Sequence, residues 1–125
     1  MSIRRPIASA LYFILMTSVH GAQAENGATP TGKQLYQAYC SQCHGLEGDG
    51  FGVNSYDLDV APRDHTDTEE MSARTDQELF KAIQLGGKSV NKSVLMPAWG
   101  GNLDDDEIHS IVSHLRDICC TETEE

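Results

Sequence analysis

The stretch AYCSQCHGLEGDG, residues 38–50, decides how the rest of the sequence is interpreted. It holds two cysteines, Cys40 and Cys43, three positions apart, and His44 follows the second cysteine directly. Such a stretch can be half of a zinc site, a redox-active dithiol, a disulfide, or a site where a cofactor is attached covalently. Each interpretation makes a different demand on the other residues of the chain.

Three of these interpretations lack support elsewhere in the sequence. A zinc site needs four ligands, usually with a second spaced pair, and the other two cysteines, Cys119 and Cys120, are adjacent. A thioredoxin-like dithiol expects a βαβ setting, and no strand pattern is visible. A Cys40–Cys43 disulfide leaves His44 without a role.

Cys-x-x-Cys-His is the attachment signature of haem c. Two thiols on one helical turn meet the two vinyl groups on one edge of the macrocycle. The histidine that follows then points its imidazole at the iron. We therefore predict one haem c, held covalently through Cys40 and Cys43, with His44 as an iron ligand.

The N-terminal residues predict export. Arg4 and Arg5 precede an apolar run at 7–19, and an Ala22-Gln23-Ala24 cleavage signal follows. The run is shorter than the roughly 20 residues of a membrane span, so an uncleaved anchor is the disfavoured alternative. We expect residues 1–24 to be a signal peptide, the mature protein to be periplasmic, and no stable membrane span to remain after cleavage.

Cleavage leaves one small predicted domain at 25–118, followed by an acidic tail at 119–125 that carries Cys119 and Cys120. All 19 acidic residues but only seven of the nine basic residues follow position 24, which gives the mature chain a net charge of −12. This charge argues against nucleic acid and anionic lipid as ligands. It favours protein partners with basic docking patches.

The periodicity predicts helices and long loops but no strands. Thr75 with Glu78, and Asp104 with Glu107, have the spacing of helix-capping pairs. Residues 45–74 show no convincing period and read as a Gly-rich loop, which a bound cofactor would organise. The predicted helices are 32–43, 75–87 and 103–118.

The second axial ligand of the iron decides between electron transfer and an open, reactive site. Met96 precedes Pro97, which favours an extended backbone there, and lies outside both later helices, so we predict that it ligates the iron. Met71 is interpreted as a residue of the apolar core. The rival ligands are histidines: His65 in the loop, and His109 and His114 beside the apolar stripe of the last helix.

Taken together, the sequence resembles a class I, single-haem cytochrome c of the bacterial periplasmic type. The resemblance rests on matching segments at 32–45, 48–52, 61–64, 96–103 and 105–116. It implies an all-α, cytochrome c-like fold of about three main helices with long Gly-rich loops around one covalently bound haem. It also implies thioethers on Cys40 and Cys43, His44 as the proximal ligand and Met96 as the distal ligand. Pro62 would offer its carbonyl to the His44 ring.

The resemblance has further consequences and two departures. The helix that begins at Gly32 would cross the last helix closely, with Tyr36 packed at the crossing, and Trp99 would line the haem edge. The family often has an aromatic residue where His114 stands.

The second departure is the pair Cys119 and Cys120, for which the family offers no role. The two thiols can bond each other, form a disulfide dimer through Cys119 or Cys120, or simply be tolerated.

The predicted function is that of a periplasmic electron carrier that shuttles single electrons between a donor and an acceptor protein, and not that of an enzyme. Two alternatives stay open. One is a tethered electron-transfer subunit of a larger periplasmic oxidoreductase. The other is a haem enzyme or gas sensor with a labile sixth ligand.

Overall fold

A computed structural model of the chain describes residues 28–121. This part of the chain is helical and contains no strand, so the prediction of an all-α fold is confirmed. The predicted signal peptide and the last four residues of the tail lie outside the described residues. The helices are α1 (Gly32–Tyr39), α2 (Ser41–His44), α3 (Thr68–Ser72), α4 (Asp76–Leu85) and α5 (Asp105–Cys119), with a 3₁₀ turn at Gly87–Val90.

The helix predicted at 32–43 is in fact two helices. Thr31 caps α1 in a capping box with Gln34. At Cys40 the backbone leaves the helical path, with φ −112° and ψ −36°, and α2 starts at the next residue. Gly45, with φ +84°, ends α2. The break places Cys40 between the two helices and Cys43 on α2, and nothing in the apolar spacing signals it.

The segment predicted as a continuous loop at 45–74 contains one short helix, α3. The Asp67 side chain accepts a hydrogen bond from the Glu70 backbone and so caps this helix. Met71, on α3, is fully buried in the core. Five residues are too few to show a helical period, which is why the sequence pattern did not reveal α3.

Helices α4 and α5 begin as predicted. Thr75 and Glu78 form a capping box at α4, and Asp104 and Glu107 form one at α5. Their apolar stripes meet α1 and α3 in one core. The buried apolar residues are Leu35, Tyr36, Met71, Leu79, Ile83, Leu103, Ile108, Ile111, Val112, Leu115 and Cys119.

Helices α1 and α5 cross at Gly32. A Cβ atom on Gly32 would lie 1.9 Å from the Ser110 carbonyl oxygen, so only glycine permits this approach. One turn further along α1, Tyr36 is fully buried. His114 of α5 presents its ring edge-on to Tyr36, with 5.3 Å between centroids. His114 thus packs its imidazole ring at the position where the family often has an aromatic residue.

The end of α5 carries a disulfide between Cys119 and Cys120. The two sulfurs are bonded to each other, so in this structure neither is free to form the alternative disulfide dimer. Helix α5 runs through Cys119, one residue beyond the predicted domain boundary, and Cys119 belongs to the buried core. The Thr68 hydroxyl donates to the Cys119 carbonyl at 2.7 Å and connects α3 to this end of α5.

None of the helices in the stretch 28–121 combines the length and the apolar character needed to cross a membrane.

We predict that Gly32→Ala lowers the free energy of unfolding by about 1–3 kcal/mol, because the added Cβ forces α1 and α5 apart. Urea denaturation followed by circular dichroism measures the loss. Gly101→Ala is the matched control, since no atom lies within 4 Å of a Cβ at that position. Equal stability of the two variants would show that the crossing does not depend on Gly32.

Candidate functional site

A cleft of about 710 Å³ opens between α1–α2 on one side and α4 with its following segment on the other. Its volume is within the roughly 300–1,000 Å³ of small-molecule and cofactor sites. All six residues predicted to contact the cofactor line this cleft: Cys40, Cys43, His44, Pro62, Met96 and Trp99. The fold therefore brings together positions that are up to 59 residues apart in sequence.

The two cysteines of the motif are free thiols, half-buried at the cleft wall. Burial raises the pKa of Cys40 to about 12, and the neighbouring Cys43 acts in the same direction. Cys40 is thus a neutral thiol at neutral pH. Within the described residues, no three side chains of the metal-binding types converge on one point, as a zinc site would require.

His44 is oriented by a backbone carbonyl. Its Nδ1 lies 3.0 Å from the Arg63 carbonyl oxygen. A carbonyl only accepts hydrogen bonds, so Nδ1 carries the proton and Nε2 keeps a lone pair for a metal. Burial lowers the pKa of His44, which keeps the ring neutral; the bond to Arg63 acts in the opposite direction and the Arg63 charge lowers the pKa further.

The partner of His44 differs from the one that the resemblance implies. The carbonyl at Nδ1 is that of Arg63, whereas Pro62 was expected to supply it. A Cβ on Gly50 would lie 3.0 Å from the Pro62 carbonyl oxygen, so this carbonyl faces Gly50 instead. Gly50, with φ +82°, donates its N–H to the His44 carbonyl at 2.8 Å. The loop therefore presents the following carbonyl, that of Arg63, to the His44 ring.

His65 lies against His44. The two rings are stacked with 4.4 Å between centroids and 16° between planes. His65 is 8% exposed, and its Nδ1 is 3.0 Å from the Tyr36 hydroxyl. Burial lowers the pKa of His65 to about 3, with further lowering by His44 and Arg63, so its ring is neutral. The sequence places His65 in a loop and gives no signal of this burial.

Met96 lies in a segment that is fastened to the end of α4. The Gly87 N–H donates to the Met96 carbonyl at 3.0 Å, and the Trp99 N–H donates to the Ile83 carbonyl at 3.0 Å. Gly86, with φ +79°, makes the turn into this segment. Met96 is half-buried at the cleft. Met71 is fully buried and does not line the cleft, which agrees with its interpretation as a core residue.

The cleft wall carries both signs of charge, whereas the chain as a whole is strongly acidic. Four basic and three acidic residues line the cleft, and the acidic ones are Asp64, Glu70 and Glu78. No acidic residue occurs between positions 79 and 103. One of the basic residues, Arg63, forms an ion pair with Glu70. Sequence reasoning from net charge alone missed this local balance of charges. The four basic residues are Arg63, Arg74, Lys81 and Lys92.

The residues of the cleft fit the predicted cofactor. Two free thiols stand about one helical turn apart, and His44 beside them keeps an unprotonated Nε2. A thioether, Met96, lines the same space. Apolar side chains such as Leu79 and Ile83 complete a wall that a flat apolar macrocycle can contact.

Comparisons with known proteins point in the same direction. Residues 27–115 match the family described as cytochrome C oxidase, cbb3-type, subunit III. The chain is also similar to cytochrome c6 of Tetradesmus obliquus, with 35% identity over 86 residues that cover 69% of this chain and 85% of the relative.

Two solved structures are similar to the fold. The KustC0563 c-type cytochrome has a TM-score of 0.60 and 21% identity over 72% of this chain and 99% of that chain, a likeness that bears on the fold alone. A chain of the Kuenenia stuttgartiensis reducing HAO-like protein complex Kustc0457/Kustc0458 has a TM-score of 0.59 and 27% identity. That match covers 78% of this chain and 47% of the other.

We predict that Gly86→Ala loosens the segment that carries Met96. A Cβ there would lie 2.9 Å from both the Met96 oxygen and the Ala98 nitrogen, and the backbone angles, φ +79° and ψ 168°, suit glycine alone. A strain of about 1–3 kcal/mol corresponds to roughly tenfold or faster hydrogen exchange of the Gly87 and Trp99 amides.

Two-dimensional NMR measures these exchange rates site by site. The Cys120 amide, which donates to the Arg116 carbonyl in α5, is the internal reference. Gly101→Ala is the matched control variant. Unchanged exchange at Gly87 and Trp99 would show that Gly86 does not hold the segment.

Proposed function

The chain belongs to the class I monohaem cytochromes c and transfers electrons through haem c, and from this premise we propose that it is a periplasmic carrier whose haem is ligated by His44 and Met96. The observation that carries the proposal is the cleft itself. The two thiols, the lone pair of His44 and the thioether of Met96 all line one space.

In this proposal each protein group has one task. Cys40 and Cys43 hold the macrocycle through two thioethers, which fixes it in the cleft. His44 binds the iron through Nε2 while the Arg63 carbonyl fixes its other nitrogen. When bound, the haem supplies a one-electron ferrous–ferric couple.

Met96 is the best-placed second ligand because the rival histidines are occupied elsewhere. His65 stacks on His44 and so sits beside the proximal ligand. His109 packs against Phe80, with 4.6 Å between ring centroids, and does not line the cleft. His114, against Tyr36, does not line it either.

The surroundings of the cleft suit a carrier better than a catalyst. Apolar residues along its wall exclude water, which favours the less charged, reduced iron. Trp99 lines the cleft, and its ring is tilted against that of Tyr39, with 5.2 Å between the centroids. Pro62 lines the same cleft from the loop between α2 and α3. We assign both residues to contact with the cofactor. A carrier of this kind makes and breaks no bond of a substrate.

The docking surface that we propose is the loop at 46–60. It carries four exposed acidic residues and no basic one, and Leu58 and Val60 of the same loop line the cleft. Its Gly52 N–H donates to the Cys43 carbonyl at 3.1 Å, so the loop lies beside the attachment motif. A donor or acceptor protein with a basic docking patch fits this surface. The acidic residues are Glu47, Asp49, Asp57 and Asp59.

A second function, that of an electron-transfer subunit in a larger complex, is favoured by two of the comparisons. The matching family is described as a subunit of an oxidase, and one similar structure is named as a complex. The internal Cys119–Cys120 disulfide does not provide the tether that this alternative would use. Gel filtration of a native periplasmic extract separates the two: elution with a large complex favours the subunit, and elution as a small protein favours the carrier.

We predict that the purified oxidised protein shows a low-spin haem c spectrum with the weak far-red band of methionine sulfur on ferric iron. Met96→Ala should abolish this band. Met71→Ala should keep it, although it removes core packing at a cost of about 2–5 kcal/mol. Visible spectroscopy of the three proteins is the measurement.

The two methionine variants control for each other, because both remove one thioether. A far-red band that survives in Met96→Ala would reject Met96 as the ligand. A high-spin spectrum of the unmodified protein would instead favour a haem enzyme or gas sensor.

We also predict that oxidation of the reduced protein by the cation tris(phenanthroline)cobalt(III) slows as ionic strength rises from about 0.01 M to 0.15 M, because salt screens attraction to the acidic loop. Asp57→Asn with Asp59→Asn should flatten this dependence. Stopped-flow absorbance measures the rates.

The matched control removes two charges elsewhere, by Asp106→Asn with Asp117→Asn on α5, where neither residue lines the cleft. An equal effect of both pairs would mean that only the net charge matters and that the loop at 46–60 is not the docking surface.

A further inference from the structure

The proposed electron carrier has no evident use for His65. A histidine side chain that is only 8% exposed has lost most of its hydration, and hydrogen bonds or other contacts must compensate for that loss. The structure places its ring flat on that of His44, 4.4 Å away and within 16° of parallel. The His44 ring is the one that the proposal assigns to the iron, through Nε2 at its edge.

His65 is held on both its backbone and its side chain. Its N–H donates to the Gly48 carbonyl at 2.6 Å. A Cβ on Gly48, whose φ is +84°, would lie 3.3 Å from the His65 Cβ, which is a tight approach. The Tyr36 hydroxyl bonds to Nδ1 of His65 at 3.0 Å, and Tyr36 is itself fully buried between α1 and α5. His65 therefore has little freedom to turn.

His44, by contrast, has one directional bond. The Arg63 carbonyl at 3.0 Å from Nδ1 fixes where that nitrogen lies. A single hydrogen bond to a carbonyl has a broad angular preference and leaves the ring able to rotate about the bond direction. A second flat ring against its face removes that rotation, because turning either ring would drive its edge into the other.

We propose that His65 is a positioning residue that fixes the plane of the His44 imidazole, with Tyr36 fixing His65 in turn; this inference rests on the proposed role of His44 as an iron ligand. Groups that surround a metal-binding histidine set its orientation and tune the metal. The plane of the ring determines how its π orbitals overlap with those of the iron. The three side chains thus connect the α1–α5 crossing to the electronic state of the site.

The test uses the complete protein with haem c attached. In the ferric state, electron paramagnetic resonance and the proton NMR shifts of the four haem methyl groups both respond to the orientation of the axial imidazole ring. We expect His65→Ala to change the spread of g values and to redistribute the methyl shifts. His65→Phe, which keeps a flat ring on His44, should restore most of the original pattern.

Two further variants separate orientation from loss of packing. Tyr36→Phe removes only the hydroxyl that holds His65 and should change the g values and methyl shifts in the same direction but less. This variant also keeps the test possible if His65→Ala folds poorly. His114→Ala is the matched control, since it also removes a histidine ring from Tyr36, 5.3 Å away, but does not touch His44. Its spectra should match those of the unmodified protein.

Unchanged g values and methyl shifts in His65→Ala, or equal changes in His65→Ala and His114→Ala, would overturn the positioning role while leaving the carrier function intact. An unmodified protein without a low-spin haem c spectrum would instead overturn the proposed function. Changed spectra in His65→Ala, together with spectra of His65→Phe that resemble those of the unmodified protein, would show that the stacked ring fixes the plane of His44.

Discussion

The close crossing of α1 and α5 at Gly32 is the constraint on which the rest of the structure depends. Because no side chain separates Gly32 from the Ser110 carbonyl, the two helices can enclose Tyr36 completely. The buried Tyr36 hydroxyl needs a hydrogen-bond partner, and His65 supplies it at 3.0 Å. His65 in turn stacks on His44. A packing requirement between two helices thus extends, through one hydrogen bond and one ring stack, to the centre of the site.

The long loop between α2 and α3 folds back on the attachment motif through its backbone. Gly48 accepts from His65, Gly50 donates to the His44 carbonyl and Gly52 donates to the Cys43 carbonyl. Gly48 and Gly50 have positive φ, so these turns require glycine. The repeated glycines that make the segment look unstructured in the sequence are what allow it to wrap around α2. The loop has no regular secondary structure, but these backbone hydrogen bonds hold it against α2.

Sequence patterns predict the parts of this molecule that repeat or that obey local rules. The capping pair of Thr75 and Glu78 locates α4, and the Cys-x-x-Cys-His spacing identifies the residues that meet in the cleft. The patterns fail where tertiary contacts decide. Five residues of α3 are too few to show a period, and the choice of the Arg63 carbonyl over that of its neighbour depends on how the loop packs on Gly50. The burial of His65 likewise depends on Tyr36, 29 residues away in sequence.

Acidic and basic groups are distributed unevenly over the molecule. The loop at 46–60 carries four exposed acidic residues and no basic one, whereas the stretch 79–103 carries three lysines and no acidic residue. The cleft lies between these two segments, and four basic and three acidic residues line it. Salt screens exposed charges that are more than about 10 Å apart, so a docking partner responds mainly to the charges of the surface that it contacts. The position of the acidic residues therefore matters more for docking than the net charge of the chain.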